Sequence, residues 1–287
     1  MNNLTKNIFL KSVKVNVKNT KGIDLRKIDL RGSIIKDKCE VGHFIGVDLI
    51  DANFQGANLK NFIFKNSNLE NANLLFADLE GADLSGANLI FANLRRSNLE
   101  YAILTDTVLK SSTLKSAYLE NTKLMGANLE NANLVNSDFT GADLTGANLM
   151  GAILTGANFT GANLTDTNFL GASLRGVYFR DAILLGVDFT GADLTGTRFI
   201  NSNLKDSILT GANFTDSFLK NVNFRDANLT GVNFTRANIN NINLENANIT
   251  GVKLTDTFLD KIFTNDLKII YNPEDKSCTD RCNNCIT

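Results

Sequence analysis

Histidine, proline and tryptophan are almost missing from this chain of 287 residues, which carries one, one and none of them. With His43 alone, neither a histidine pair nor a histidine metal cluster can be assembled. The single proline, Pro273, falls near the C-terminal end, where its lack of an N–H interrupts no long backbone ladder. Four cysteines do not make a disulfide framework for a chain of this size. Three of them, Cys278, Cys282 and Cys285, stand in the last ten residues with C-x3-C-x2-C spacing. Thiolates that close are candidate ligands for zinc or an iron–sulfur cluster. The plainer reading is reduced thiols in a polar tail, and Cys39 reads as a small apolar residue. No apolar run approaches membrane-spanning length, and lysines break up the N-terminal stretch where a signal peptide would need an apolar core. No glycine loop precedes the Lys-Ser/Thr of a phosphate-binding loop. Lys and Arg number 29 against 30 Asp and Glu, a net charge of −1, with no general pull toward nucleic acid or acidic lipid. These absences predict a soluble, cytoplasmic protein with no cofactor and with neither membrane nor direct nucleic-acid partners.

What the chain does have is a five-residue beat. From Phe44 to Leu259 there are 44 positions spaced by five, of which 30 are Leu, 12 are Phe and two are Ile. Two places before each stands a small residue in all but two cases, Phe62 and Ile242. The residue between is Asn or Asp in 28 of the 44 units, and 18 of the 21 glycines fall two places after the large residue. The stretch GADLTGANLMGAILTGANFTGANL, residues 141–164, is its clearest form. A period of five is neither the 2 of a strand nor the 3.6 of a helix. Small–polar–large is local strand alternation, and the next two residues turn a corner that glycine tolerates. A chain of short strands and corners must coil, with small and large residues inward.

The phenylalanines set the size of the coil. Phe139, Phe159, Phe179 and Phe199 recur every 20 residues, as do Phe169 with Phe189 and Phe214 with Phe234. Four units per coil is the smallest even number that encloses a filled core, and like residues then stack in register. A filled core leaves no substrate cavity, and the outward aspartates are spread along the axis, so no enzyme is expected.

Tandem A(N/D)Lxx units resemble the pentapeptide-repeat family over about residues 23–261. The resemblance implies an all-β fold: a right-handed, four-sided parallel β-helix of about 11–12 coils of 20 residues, with short N- and C-terminal caps. The expected organisation is an N-terminal cap over 1–22, the β-helix over 23–261 and a C-terminal cap with a cysteine-containing tail over 262–287. Before Phe44 the beat runs one residue out of step, which places a register slip at about 35–44.

Two outward features stand out. Leu75, Phe76, Ile90, Phe91, Tyr101 and Ile103 are large apolar residues at outward or corner phases within two successive coils, a candidate interaction surface. Asp78, Glu80, Glu100, Glu120 and Asp138 form an acidic stripe, and the neighbouring face carries Arg95, Arg96 and Lys115. Either the two signs compensate across a corner, or the stripe faces a basic partner. The function expected from these residues is a non-enzymatic, rod-like protein–protein interaction or scaffold module for an unidentified partner. Homodimerisation through the C-terminal end or the apolar patch is a further expectation. The family resemblance implies an alternative, since some pentapeptide-repeat proteins mimic duplex DNA and inhibit or protect DNA gyrase or topoisomerase. This chain departs from them in lacking a projecting loop and in its modest charge, 21 acidic and 15 basic residues across Phe44–Leu259, a net of −6.

Overall fold

Twenty residues close one circuit of this chain. In the computed structural model, which describes residues 44–264, bridge partners lie 20 apart throughout, from Asp48 with Asn68 to Asn233 with Lys253, and every pairing is parallel. The result is a right-handed, four-sided parallel β-helix of about eleven coils, with no helix among the described residues. Longer strands appear toward the C-terminal end: β1 (Tyr178–Arg180), β2 (Arg198–Ile200), β3 (Phe218–Asn223), β4 (Asn238–Asn243) and β5 (Phe258–Phe263). They stack in chain order in one sheet, Phe179 over Phe199, Leu219, Ile239 and Leu259. Ile262 and Phe263 pair with Ile242 and Asn243, so the ladder runs through Phe263, and the rest of the expected C-terminal cap lies outside the described residues. The register slip before Phe44, the N-terminal cap, Cys39, His43 and the tail cysteines lie outside the described residues.

Each unit disposes of its five N–H groups in a fixed way. Asn148 N donates to Ala127 O of the previous coil (2.9 Å), while Leu149 N donates to Asn168 O of the next (2.7 Å). Gly151 N reaches Leu170 O at 3.0 Å, and Ala152 N closes the corner onto Leu149 O at 3.0 Å. The fifth group, Met150 N, has no backbone acceptor, and the Asn148 side-chain oxygen takes it at 3.1 Å. The same bond recurs at Thr140 with Asp138, Leu170 with Asn168 and Arg225 with Asn223. Asn and Asp dominate this phase because their short acceptors reach the amide two residues on, the geometry of an Asx turn.

The core is a dry ladder. Phe139, Phe159, Phe179 and Phe199 stack at centroid distances of 4.6, 5.5 and 4.7 Å. Small hydroxyl residues that replace alanine are buried, and most bond to a carbonyl: Ser67 Oγ donates to Phe64 O at 2.6 Å, and Thr107 Oγ1 to Leu84 O at 2.9 Å, while Ser217 Oγ has no partner. No helix among the described residues is long and apolar enough to cross a membrane.

Candidate interaction surface

The corners carry the candidate surface. The second corner residue of every unit has a left-handed φ: all 44 such positions lie between +53° and +71°. Eighteen are glycine and 18 of the other 26 are Asn or Asp, the residues that reach this region at least cost. Only six are bulky: Phe76, Phe91, Arg96, Tyr101, Arg236 and Lys261. Four of those six fall within residues 76–101. An L-residue with a large side chain gives up about 1–2 kcal/mol there, and Phe76, Phe91 and Tyr101 are also 50–60 % exposed.

The 20-residue register sorts the six predicted apolar residues. Leu75 and Phe76 end the strand through Leu74, and Ile90 and Phe91 precede the strand through Leu94, one coil on. All four therefore border the same flat panel, whose centre is the hydrogen-bonded column Asn53, Asn73 and Asn93. Tyr101 turns the corner diagonally opposite Phe91, and Ile103 belongs to the following side, bridged to Asp83 and Lys123. Leu75, Ile90 and Ile103 are half-buried.

Arg95 and Arg96 end the strand that Phe91 begins, and Lys115 follows one coil later. All three are exposed, and none makes an ion pair among the described residues. The Arg96 guanidinium lies 5.7 Å from the Phe76 ring centroid, directly over the preceding coil. Compensation across the corner is thus not realised at these residues. The acidic stripe pairs with Lys60 instead, 2.5 Å from Glu80 and 3.4 Å from Asp78. Beyond that reach, Glu100, Glu120 and Asp138 crowd one another. Burial, followed by the charges of Asp138 and Glu100, pushes the Glu120 carboxyl above its ordinary range.

No three His, Cys, Asp or Glu among the described residues converge as metal ligands. A shallow, open groove near the C-terminal end is lined by Asn221, Asn223, Asn241, Asn243 and Phe263, with no acid, base or nucleophile.

The sequence profile for pentapeptide repeats matches the chain in overlapping segments, from residues 43–66 through 121–161 to 227–262, without a gap. The chain belongs to the pentapeptide-repeat family. No curated protein matches it. Among solved structures it is similar to HetL, a pentapeptide repeat protein involved in heterocyst differentiation regulation from the cyanobacterium Nostoc, at 26 % identity and TM-score 0.43, covering 93 % of this chain and 98 % of that one. It is also similar to trypsin-treated QnrB1, a plasmid-mediated fluoroquinolone resistance protein, at 18 % identity and TM-score 0.30 over 78 % and 92 % of the two chains. Rfr23 from the cyanobacterium Cyanothece matches at 32 % identity and TM-score 0.19, over 50 % of this chain and 85 % of that one.

In the last described coil of this pentapeptide-repeat chain the side chains are less buried than in the middle. Leu254, Leu259 and Ile262 are only partly buried against the core, and Phe258 and Phe263 are each 57 % exposed. Tyr118, Tyr178, Phe218 and Phe258 share one column of the repeat, with Arg198 packed over the Tyr178 ring at 5.7 Å.

Proposed function

We propose that this pentapeptide-repeat chain is a non-enzymatic, rod-like interaction module that offers flat β-sheet faces, and the corners between them, to a protein partner. One observation carries the reading: four of the six bulky residues in left-handed corners are grouped at Phe76, Phe91, Arg96 and Tyr101. Glycine or asparagine would serve the fold better at each, so their presence is a cost that folding itself does not explain. Repeat scaffolds put binding on such outward positions because the core is already filled. The test is affinity capture with the full-length protein and a Phe76→Ser/Phe91→Ser variant shown to be folded by circular dichroism. Partners held by the native protein should be lost from the variant. Equal capture by both sinks the reading.

The gyrase-directed alternative finds less support. Lys60 draws Asp78 and Glu80 into ion pairs, and a net −6 across the repeat is small beside a duplex bearing one charge per about 1.7 Å. A supercoiling assay with purified gyrase at micromolar protein decides it, and inhibition or protection would restore it.

A further inference from the structure

The panel bordered by Phe76 and Phe91 is chemically lopsided. Its leading edge runs Glu70, Ile90–Phe91, Lys110 in successive coils, with Lys110 bound to Glu130 at 3.0 Å. Its trailing edge runs Gln55–Gly56, Leu75–Phe76, Arg95–Arg96, Lys115–Ser116, and carries no acidic residue before Asp216. Three cations with no ion-pair partner among the described residues thus stand on one edge, and an exposed ring stands across the strand at Phe91. Phe76 lies beneath the Arg96 guanidinium. The flat floor between, Asn73, Asn93 and Thr113, is uncharged.

We infer that this panel is a docking site for a short, extended acidic segment of a protein, with its carboxylates on Arg95, Arg96 and Lys115 and an adjoining apolar side chain on Phe91. The inference rests on the interaction-module reading and names the partner's chemistry. Two arginines at consecutive positions match carboxylates in fork geometry better than isolated lysines do. The exposed ring offers an apolar residue of the segment a surface that water otherwise covers. Nucleic acid also meets rings and arginines in this way, but the charge layout disfavours it here. Glu100 ends the next strand, four residues after Arg96 and so within about 13 Å. Glu80 and Glu120 extend that line one coil either way. A long polyanion crossing the basic edge would run onto this acidic one, whereas a short acidic segment stops before it.

Fluorescence anisotropy with the full-length protein tests the assignment. The probe is a fluorescein-labelled octapeptide in which three glutamates stand on each side of a central Leu-Phe pair. Controls carry lysine in place of glutamate, or a serine pair in place of Leu-Phe, and a deoxythymidine 12-mer serves as the polyanion. The acidic peptide should bind most tightly and weaken as salt rises. Arg95→Glu/Arg96→Glu should cost roughly tenfold or more in affinity, and Phe91→Asn should cost about fivefold, with melting curves showing both variants folded. No saturation by the acidic peptide, equal affinity for the double variant, or tighter binding of the deoxythymidine strand would each overturn the assignment. Failure with these peptides, while Phe76→Ser/Phe91→Ser still loses its captured partner, removes only the acidic chemistry. Failure of both removes the module reading as well.

Discussion

Phe76 and Arg96 occupy the same corner of consecutive coils, both in the left-handed region at φ +58° and +53°, with the cation 5.7 Å from the ring centroid. The contact recovers part of what each residue gives up by being there. A cation–π pair at an exposed site contributes about 0.5–1 kcal/mol, against about 1–2 kcal/mol of backbone cost per residue. The pair is therefore a net liability to the fold.

Phe91 has no such cation stacked on it, and gives the cleaner measurement. Phe91→Asn puts into a +58° corner the residue type that already fills ten others. The variant should gain about 1 kcal/mol of stability, read as a higher melting temperature and denaturant midpoint. Combined with weaker partner binding, that gain is the signature of a residue kept for contact. A loss of stability would mean that the ring supports the coil and would undercut the surface reading.

Glycine corners differ among themselves, and two alanine substitutions separate the causes. Gly146, at φ +67°, has open space where a Cβ would stand. Gly156, at φ +71°, has the Asn136 side-chain oxygen there, reaching over from the previous coil. Gly146→Ala should cost about 1 kcal/mol from backbone strain alone. Gly156→Ala should cost measurably more, and the excess should vanish in an Asn136→Gly background. Equal costs in chemical denaturation would show that the carboxamide simply swings away.

The repeat's polar phase yields a local prediction. Asn148→Ala removes the only acceptor seen for Met150 N, leaving all four backbone ladder bonds of that unit in place. The expected cost is about 1 kcal/mol. Amide exchange should quicken at Met150 while Leu149 and Gly151, bonded to neighbouring coils, stay protected. Uniform quickening along the coil would mean that the side chain holds more than one amide.

Much of this architecture was legible because two periods are superposed. The five-residue beat separates Leu144 and Ala142, both buried, from the outward residues, and the phenylalanine spacing fixes four beats per coil. Phe159 over Phe179, at 5.5 Å and nearly parallel, is that spacing made visible. The bond from Asn148 to Met150 N was not legible, since a polar residue at an outward phase looks the same whether it faces water or caps an amide. Nor was the backbone strain at Phe76, because the glycine preference alone does not say that the remaining corners keep a left-handed φ. The split of the apolar group was there to be read. Phe91 and Tyr101 differ by ten residues, half of a 20-residue coil, and so must lie on opposite corners. The pairing of Glu80 with Lys60 was there to be read as well, since the two stand 20 residues apart in one column of the repeat.

Glu120 supplies a prediction whose sign follows from its surroundings. Burial comes first, then Asp138 and Glu100, and all of them disfavour its charged form, so its folded pKa lies above the unfolded value. A carboxyl shifted that way binds more protons folded than unfolded between the two values. At neutral pH its charge opposes folding. As pH falls through the raised folded pKa toward the ordinary carboxylate range, that penalty fades and stability from this group rises. Glu120→Gln keeps the shape without the charge, so it should raise the melting temperature at pH 7, and its advantage over the native protein should shrink as the pH approaches 4. Asp216 works in the opposite sense: Arg236, bonded to it at 2.7 and 2.8 Å, holds its carboxyl below the usual range. Its contribution is present above the ordinary carboxylate pKa and fades as pH falls through the lowered one. Acid titration of the two single variants, Glu120→Gln and Asp216→Asn, should therefore show stability differences from the native protein of opposite sign at neutral pH. A Glu120→Gln variant that is less stable at pH 7 would mean that a cation or a partner, and not water, normally faces that acidic edge.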